Sequence, residues 1–204
     1  SVGTLTSFRS TGIDDNADAL AMTIDSSERV LVGHTASVAV RGIEQKVQIA
    51  GVDQATAGLS LARYQAGAYG PGIHFAKSRH ASLGSHTIVQ DGDRLGDITW
   101  YASDGNDFVN HAATIFVEVD GTPGNNDTPG RMIFQTTADG AASATTRMVI
   151  KNDGDVLVGH TSAETNGKLQ VTGGIGLKGN SEIRSSTNSD DGSTIKFFGT
   201  QMVA

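Results

Sequence analysis

Between residues 72 and 140, apolar side chains recur at every second position in short runs. Ile73 and Phe75 form one such run, and Ile98 and Trp100 another. Ile115, Val117 and Val119 form a third, and Met132 and Phe134 a fourth. Successive strand side chains point to opposite faces, so a period of two marks half-buried strands. The runs are separated by Asp91-Gly92, Asp104-Gly105, Asp120-Gly121, Pro129-Gly130 and Asp139-Gly140. Pairs of this kind supply the backbone angles of tight reversals. The stretch predicts a compact antiparallel β unit, and it holds the only tryptophan of the chain.

The flanks are thinner. Residues 1–16 are rich in Ser, Thr and Gly, with Leu5 and Phe8 as isolated anchors, and predict a loosely docked lead-in. Leu20, Met22 and Ile24 alternate as a short strand, and Val30 to Val32 form the next. The hexapeptide VLVGHT at 30–35 recurs at 156–161. The same spacing aligns Met22 with Met148 and Ile24 with Ile150. Lys46-Val47-Gln48-Ile49 resembles Lys168-Leu169-Gln170-Val171, with four extra residues in the first copy. One strand–turn–strand–loop–strand motif therefore brackets the central block. Two copies are too few for a solenoid, and a recurrent shaft or collar element is the better reading. Residues 57–64 predict a further strand, with Leu59 and Leu61 on one face. Residues 122–129 are a surface loop by composition, and residues 106–113 could form a turn or two of helix. Gly173 to Gly179 is glycine-rich with Ile175 and Leu177; Ile183, then Ile195 and Phe197, predict two more short strands. The first residue is Ser, as expected of a fragment or a processed chain, and the apolar end at Ala204 suggests a parent that continues.

Composition narrows the class. Glycine supplies 26 of 204 residues, nearly twice the usual share of roughly 7%, yet without the period of three that collagen needs. Charged residues make up 18%, against about 25% in ordinary domains, so the chain is no disordered polyelectrolyte. A net charge of −7 disfavours nucleic acid as a partner. Cysteine is absent, which excludes thiolate and disulfide chemistry. No apolar run reaches the length of a membrane-spanning helix, so no membrane insertion is expected.

The short flanking strands bury little alone, since an isolated hairpin is marginal in water. Val30, Val32, Val156 and Val158 would each contribute about 1.5–3 kcal/mol if fully buried. One thin chain cannot cover them, but three chains on a common axis can. Abundant glycine suits such crowding. The expected architecture is all-β: a trimeric intertwined fibre with a central antiparallel β-sandwich or β-prism-like domain flanked by short β shaft elements. The expected divisions are 1–54 for the first shaft element, 55–145 for the central domain and 146–204 for the second shaft element.

Seven fragments carry a family resemblance: Lys77-Ser78-Arg79, Gly92 to Ile98, Asp104-Gly105, Ala112 to Ile115, Asp120 to Arg131, Phe134 to Gly140, and Thr146 to Ile150. In this order they resemble a module common in phage tail fibres and related virion appendages, over residues 59 to 160. Members of this type often carry a C-terminal self-cleaving chaperone; none is visible in this sequence. The resemblance implies a trimeric, non-enzymatic fibre segment located in the virion.

Candidate sites are few. The six histidines show no H-x-H or H-E-x-x-H pairing. His34 and His160 occupy matching repeat positions; strand-end hydrogen bonding is the expected role, with an axial metal in a trimer as the alternative. Asp120, Asn125, Asn126 and Asp127 gather oxygen ligands of the kind calcium prefers, but turn chemistry explains them. Asp91, Asp93 and Asp97 are the best carboxylate cluster for glycoside hydrolysis, although Gly92 and Gly96 mark turns there. No nucleophile elbow, Walker loop or dinucleotide fingerprint occurs. No catalytic residue, metal or cofactor is therefore expected. Trp100 shares its face with Ile98 and is expected in the core. Tyr64, Tyr69, Arg79, His80 and Tyr101 form the candidate receptor-binding set.

The sequence thus predicts a structural and receptor-binding section of a tail fibre. Its partners would be further copies of itself, other virion tail proteins and a host surface glycan or protein. Multivalency would raise weak single-site affinity. A tailspike-like polysaccharide depolymerase and a bacterial surface adhesin are the alternatives.

Overall fold

A computed structural model describes residues 21–163 and 168–175. Among them there is no helix, and eleven strands form three sheets. The all-β class holds. The lead-in at 1–16, Leu20, Leu177 and the strands expected around Ile183, Ile195 and Phe197 lie outside the described residues.

The central sheet has six strands in the order β11-β10-β9-β8-β7-β6. Strands β6 (Arg94–Tyr101), β7 (His111–Val119), β8 (Gly130–Thr137) and β9 (Ala144–Ile150) form an antiparallel meander. The Asp-Gly pairs do what their chemistry requires, with Gly92, Gly105, Gly121 and Gly140 all at positive φ. Pro129-Gly130 is different, because Gly130 opens β8. The reversal there falls at Asp120-Gly121 and at Asn126, whose φ is 61°.

The meander continues into the second repeat copy. Strand β10 (Val156–Val158) pairs antiparallel with β9, and β11 (Leu169–Val171) pairs parallel with β10. The first copy repeats this arrangement alone. Strand β1 (Met22–Ile24) is antiparallel to β2 (Val30–Val32), and β5 (Val47–Ile49) is parallel to β2. Register, turn and bonding all match. Leu31 pairs with Gln48 as Leu157 pairs with Gln170. The Val30 N–H donates to the Lys46 carbonyl at 2.8 Å, and that of Val156 to Lys168 at 2.7 Å. Gly33 and Gly159 have φ of 80° and 81°. Both leucines are fully buried at 0% exposure. Sequence similarity between the copies therefore reports one structural unit used twice. A two-stranded hairpin, β3 (Ala39–Val40) and β4 (Ile43–Glu44), rises from the long loop of the first copy.

Three expected elements differ. Residues 57–64 join no sheet, and Leu59 and Leu61 are exposed. Ile73 and Phe75 also lie outside any strand. Alternation there identifies side chains that need cover, but a strand also needs a hydrogen-bonding neighbour, and no described strand pairs with these segments. The helix possible at 106–113 is absent. Asp104 Oδ1 accepts from the Asn106 and Asp107 N–H groups at 2.9 and 3.1 Å, and Asp107 Oδ1 from Val109 at 2.9 Å. These local side-chain bonds displace the helical ladder, and β7 begins at His111.

The core sits on one face of the central sheet. The register places Asp97, Phe116, Ile133, Val149, Leu157 and Gln170 in one row across all six strands. From Phe116 onward every member is buried. The Arg94 guanidinium lies 3.7 Å above the Phe116 ring and closes one end, a cation–π contact.

Candidate functional site

The opposite face of the central sheet is apolar and open. One row runs Ile98, Ile115, Phe134, Met148, Val158, Val171; the next runs Gly96, Val117, Met132, Ile150, Val156, Leu169. None of these side chains is buried. Ile98 is 52% exposed and Trp100, beside it on the same strand face, 51%. The expectation that Trp100 is enclosed in the core is corrected for the single chain: no described element covers it. Phe75 covers only the Gly96 end, where a Cβ on Gly96 would come within 2.7 Å of its ring carbon. In the first copy the equivalent side chains Met22, Ile24, Val47 and Ile49 are exposed as well. An uncovered apolar face of this extent marks an interaction surface.

The five candidate receptor residues are not brought into one cluster by any described contact. Tyr64 and Tyr69 are 97% and 82% exposed. Arg79 is held by Asp93 through a forked pair at 2.6 and 2.7 Å. His80 Nδ1 accepts from the Ser82 N–H at 2.9 Å. Tyr101 stands elsewhere, edge-on to His111 with centroids 6.0 Å apart. Of the five, Tyr101 lines a cavity, of about 240 Å³, together with Arg41, Arg94, Thr99, His111, Thr114 and Gln135. Arg41 reaches it from the β3–β4 hairpin. That residue was missed in the sequence; its only signal there was an Arg-Gly pair between Val40 and Ile43.

The acidic cluster is committed to structure. Asp93 bonds Arg79 and also accepts from the Gln90 N–H at 3.0 Å. The Arg79 hydrogen bonds hold its carboxyl far below the usual carboxylate range, the opposite of what a general acid requires. Asp91 Oδ1 accepts from the Gly121 N–H at 2.9 Å, and Asp97 Oδ1 from the Thr99 hydroxyl at 3.1 Å. Asp120 is likewise occupied, by Arg131 at 3.1 Å and the Asn152 N–H at 3.1 Å. Among the described residues no group of three His, Asp or Glu side chains is placed to hold a metal within one chain. His34 and His160 end their strands as expected, each with Nδ1 hydrogen-bonded to a carbonyl two residues on, at 2.7 and 2.8 Å.

The chain is similar in structure to the carboxy-terminal domain of the bacteriophage T5 L-shaped tail fibre. Against that domain with its intramolecular chaperone domain, the TM-score is 0.52 at 16% identity, covering 86% of this chain and 50% of the other. Against the domain in a second structure, the TM-score is 0.51 at 16% identity, covering 83% and 68%. The fold is that of a tail-fibre domain. This bears out the resemblance read from the fragments between residues 59 and 160. The chain spans half the length of the first fibre chain it matches. No protein-family model and no curated protein sequence matches it.

Proposed function

We propose that this chain is a non-catalytic section of a phage tail fibre. It resides in the virion, assembles as a parallel homotrimer with other tail proteins as neighbours, and presents residues to a host surface glycan or protein. The observation that carries the reading is the pair of complete apolar rows left open on the central sheet. Three such sheets facing a common axis bury those rows in a prism, and the matching side chains of the first copy extend the same stripe along the shaft. The two repeat copies, within 1–54 and 146–204, serve as shaft elements on either side of the 55–145 domain. The fold shared with tail-fibre domains supports the same assignment, and the structural commitment of Asp91, Asp93 and Asp97 counts against a depolymerase. Tyr64, Tyr69, Arg79 and His80 supply the exposed contact residues.

Light scattering on the purified full chain tests the assembly, with three times the monomer mass expected. A folded, monodisperse monomer overturns it. Incubation with host surface polysaccharide tests catalysis, and release of new reducing ends would replace the fibre reading with a depolymerase.

A further inference from the structure

Beside the β3–β4 hairpin lies a polar cavity whose chemistry is distinct from its surroundings. The protein carries a net charge of −7, yet this cleft is lined by two guanidinium groups, and the one described carboxylate paired with its lining is Asp97, bonded to Thr99 and ion-paired with Arg94. Arg94 forms a long ion pair with Asp97 at 3.7 Å and stacks on Phe116, but has no described side-chain hydrogen bond. Arg41 has no described side-chain partner. Its backbone φ is 60°, and that of Gly42 69°, as the two-residue turn of the β3–β4 hairpin requires. The Arg41 N–H is anchored to the Phe108 carbonyl at 2.8 Å, which fixes the hairpin tip at the cleft.

The remaining lining is mixed donor, acceptor and ring. The Thr99 and Thr114 hydroxyls are 2.8 Å apart, and Thr114 is buried. Gln135 donates its amide to Thr146 at 3.1 Å, which leaves the side-chain carbonyl as an acceptor. The Tyr101 hydroxyl and the His111 ring nitrogens have no described partner, and the two rings meet at 69° as a wall. Arginine prefers planar oxyanions. A bare phosphate would use the guanidinium groups but not the ring wall or the Gln135 acceptor. The volume of about 240 Å³ gives room for one sugar ring.

We infer that this cleft binds a single carboxylated sugar residue, of the uronic-acid class, within a surface polysaccharide. Arg41 and Arg94 take the carboxylate, Thr99, Thr114 and Gln135 the hydroxyls, and Tyr101 and His111 the ring face. The inference deepens the glycan-binding part of the proposed function.

The test is a titration of the isotope-labelled full chain with methyl glucuronoside, followed by amide shifts. Methyl glucoside and inorganic phosphate are run in parallel. Shifts are expected at Tyr101, His111 and Thr114 with the glucuronoside alone. Arg41→Asn, which tolerates the left-handed backbone, is expected to weaken binding about tenfold or more, the range of a lost charged hydrogen bond. Arg41→Lys, which keeps the charge, should retain part of the affinity. Absence of shifts, equal response to the neutral glucoside or to phosphate, or an unchanged Arg41→Asn affinity each overturns the site. A trimer that ignores the glucuronoside leaves the fibre reading standing, whereas a monomer that binds it does the reverse.

Discussion

Gly33 and Gly159 show how narrowly single residues are constrained in the repeated motif. Each follows a Val-Leu-Val strand at φ near 80°. A Cβ there would lie 2.6 Å from the Ala50 carbonyl oxygen in one copy and 2.9 Å from the Thr172 oxygen in the other. Backbone atoms cannot swing aside as a flexible side chain can. Gly33→Ala and Gly159→Ala are each expected to cost about 1–2 kcal/mol, read as a lower urea midpoint. The Arg79–Asp93 clasp gives a pH prediction. The depressed Asp93 pKa means that its contribution to stability is complete above the unfolded aspartate value near 4. It is lost as pH falls towards the lower folded-state value. The difference in melting temperature between the native chain and Asp93→Asn should therefore be largest at neutral pH and shrink in acid. A difference that grew on acidification would contradict the assigned direction.

At the scale of elements, the two repeat copies are the same unit in different settings. The first stands as a sheet of its own, whereas the second is an extension of the central meander. Leu31→Ala and Leu157→Ala remove equivalent, fully buried side chains, and each is expected to cost about 2–5 kcal/mol. Their reach should differ. Hydrogen exchange should accelerate only in β1, β2 and β5 for Leu31→Ala, but through β9 into β8 for Leu157→Ala, because Leu157, Val149 and Ile133 share one row. The repeat was legible because VLVGHT is a local signal, and so were β6 to β9, whose alternation and Asp-Gly turns agree. Residues 57–64 and 73–75 form no strand because alternation marks side chains that need cover and is silent on pairing. The helix at 106–113 was misread because the bonds from Asp104 and Asp107 depend on turn geometry. The Arg41 cleft was invisible because it joins residues from β6, β7, β8 and a distant hairpin, and no sequence period links those.

For the whole molecule the deciding quantity is the apolar surface that one chain leaves in water. A six-stranded sheet with one buried row and two open apolar rows is half of a core. Trp100, Ile98 and Met132 lie half-exposed at the open side, and covering Ile98 or Met132 would contribute about 1 kcal/mol per chain, roughly half the value of full burial. If three sheets meet there, a charge at the centre is desolvated without a partner, which is costly. Ile98→Glu is therefore expected to abolish the trimer, seen as a fall to monomer mass or as loss of cooperative unfolding with aggregation. Tyr64→Ala, far more exposed than Ile98, supplies the control and should leave mass and melting temperature unchanged. The melting temperature of the native chain should also rise with protein concentration, since association and folding are then one equilibrium. A concentration-independent transition, together with an unchanged mass for Ile98→Glu, would mean that the open face is covered by something other than a second copy.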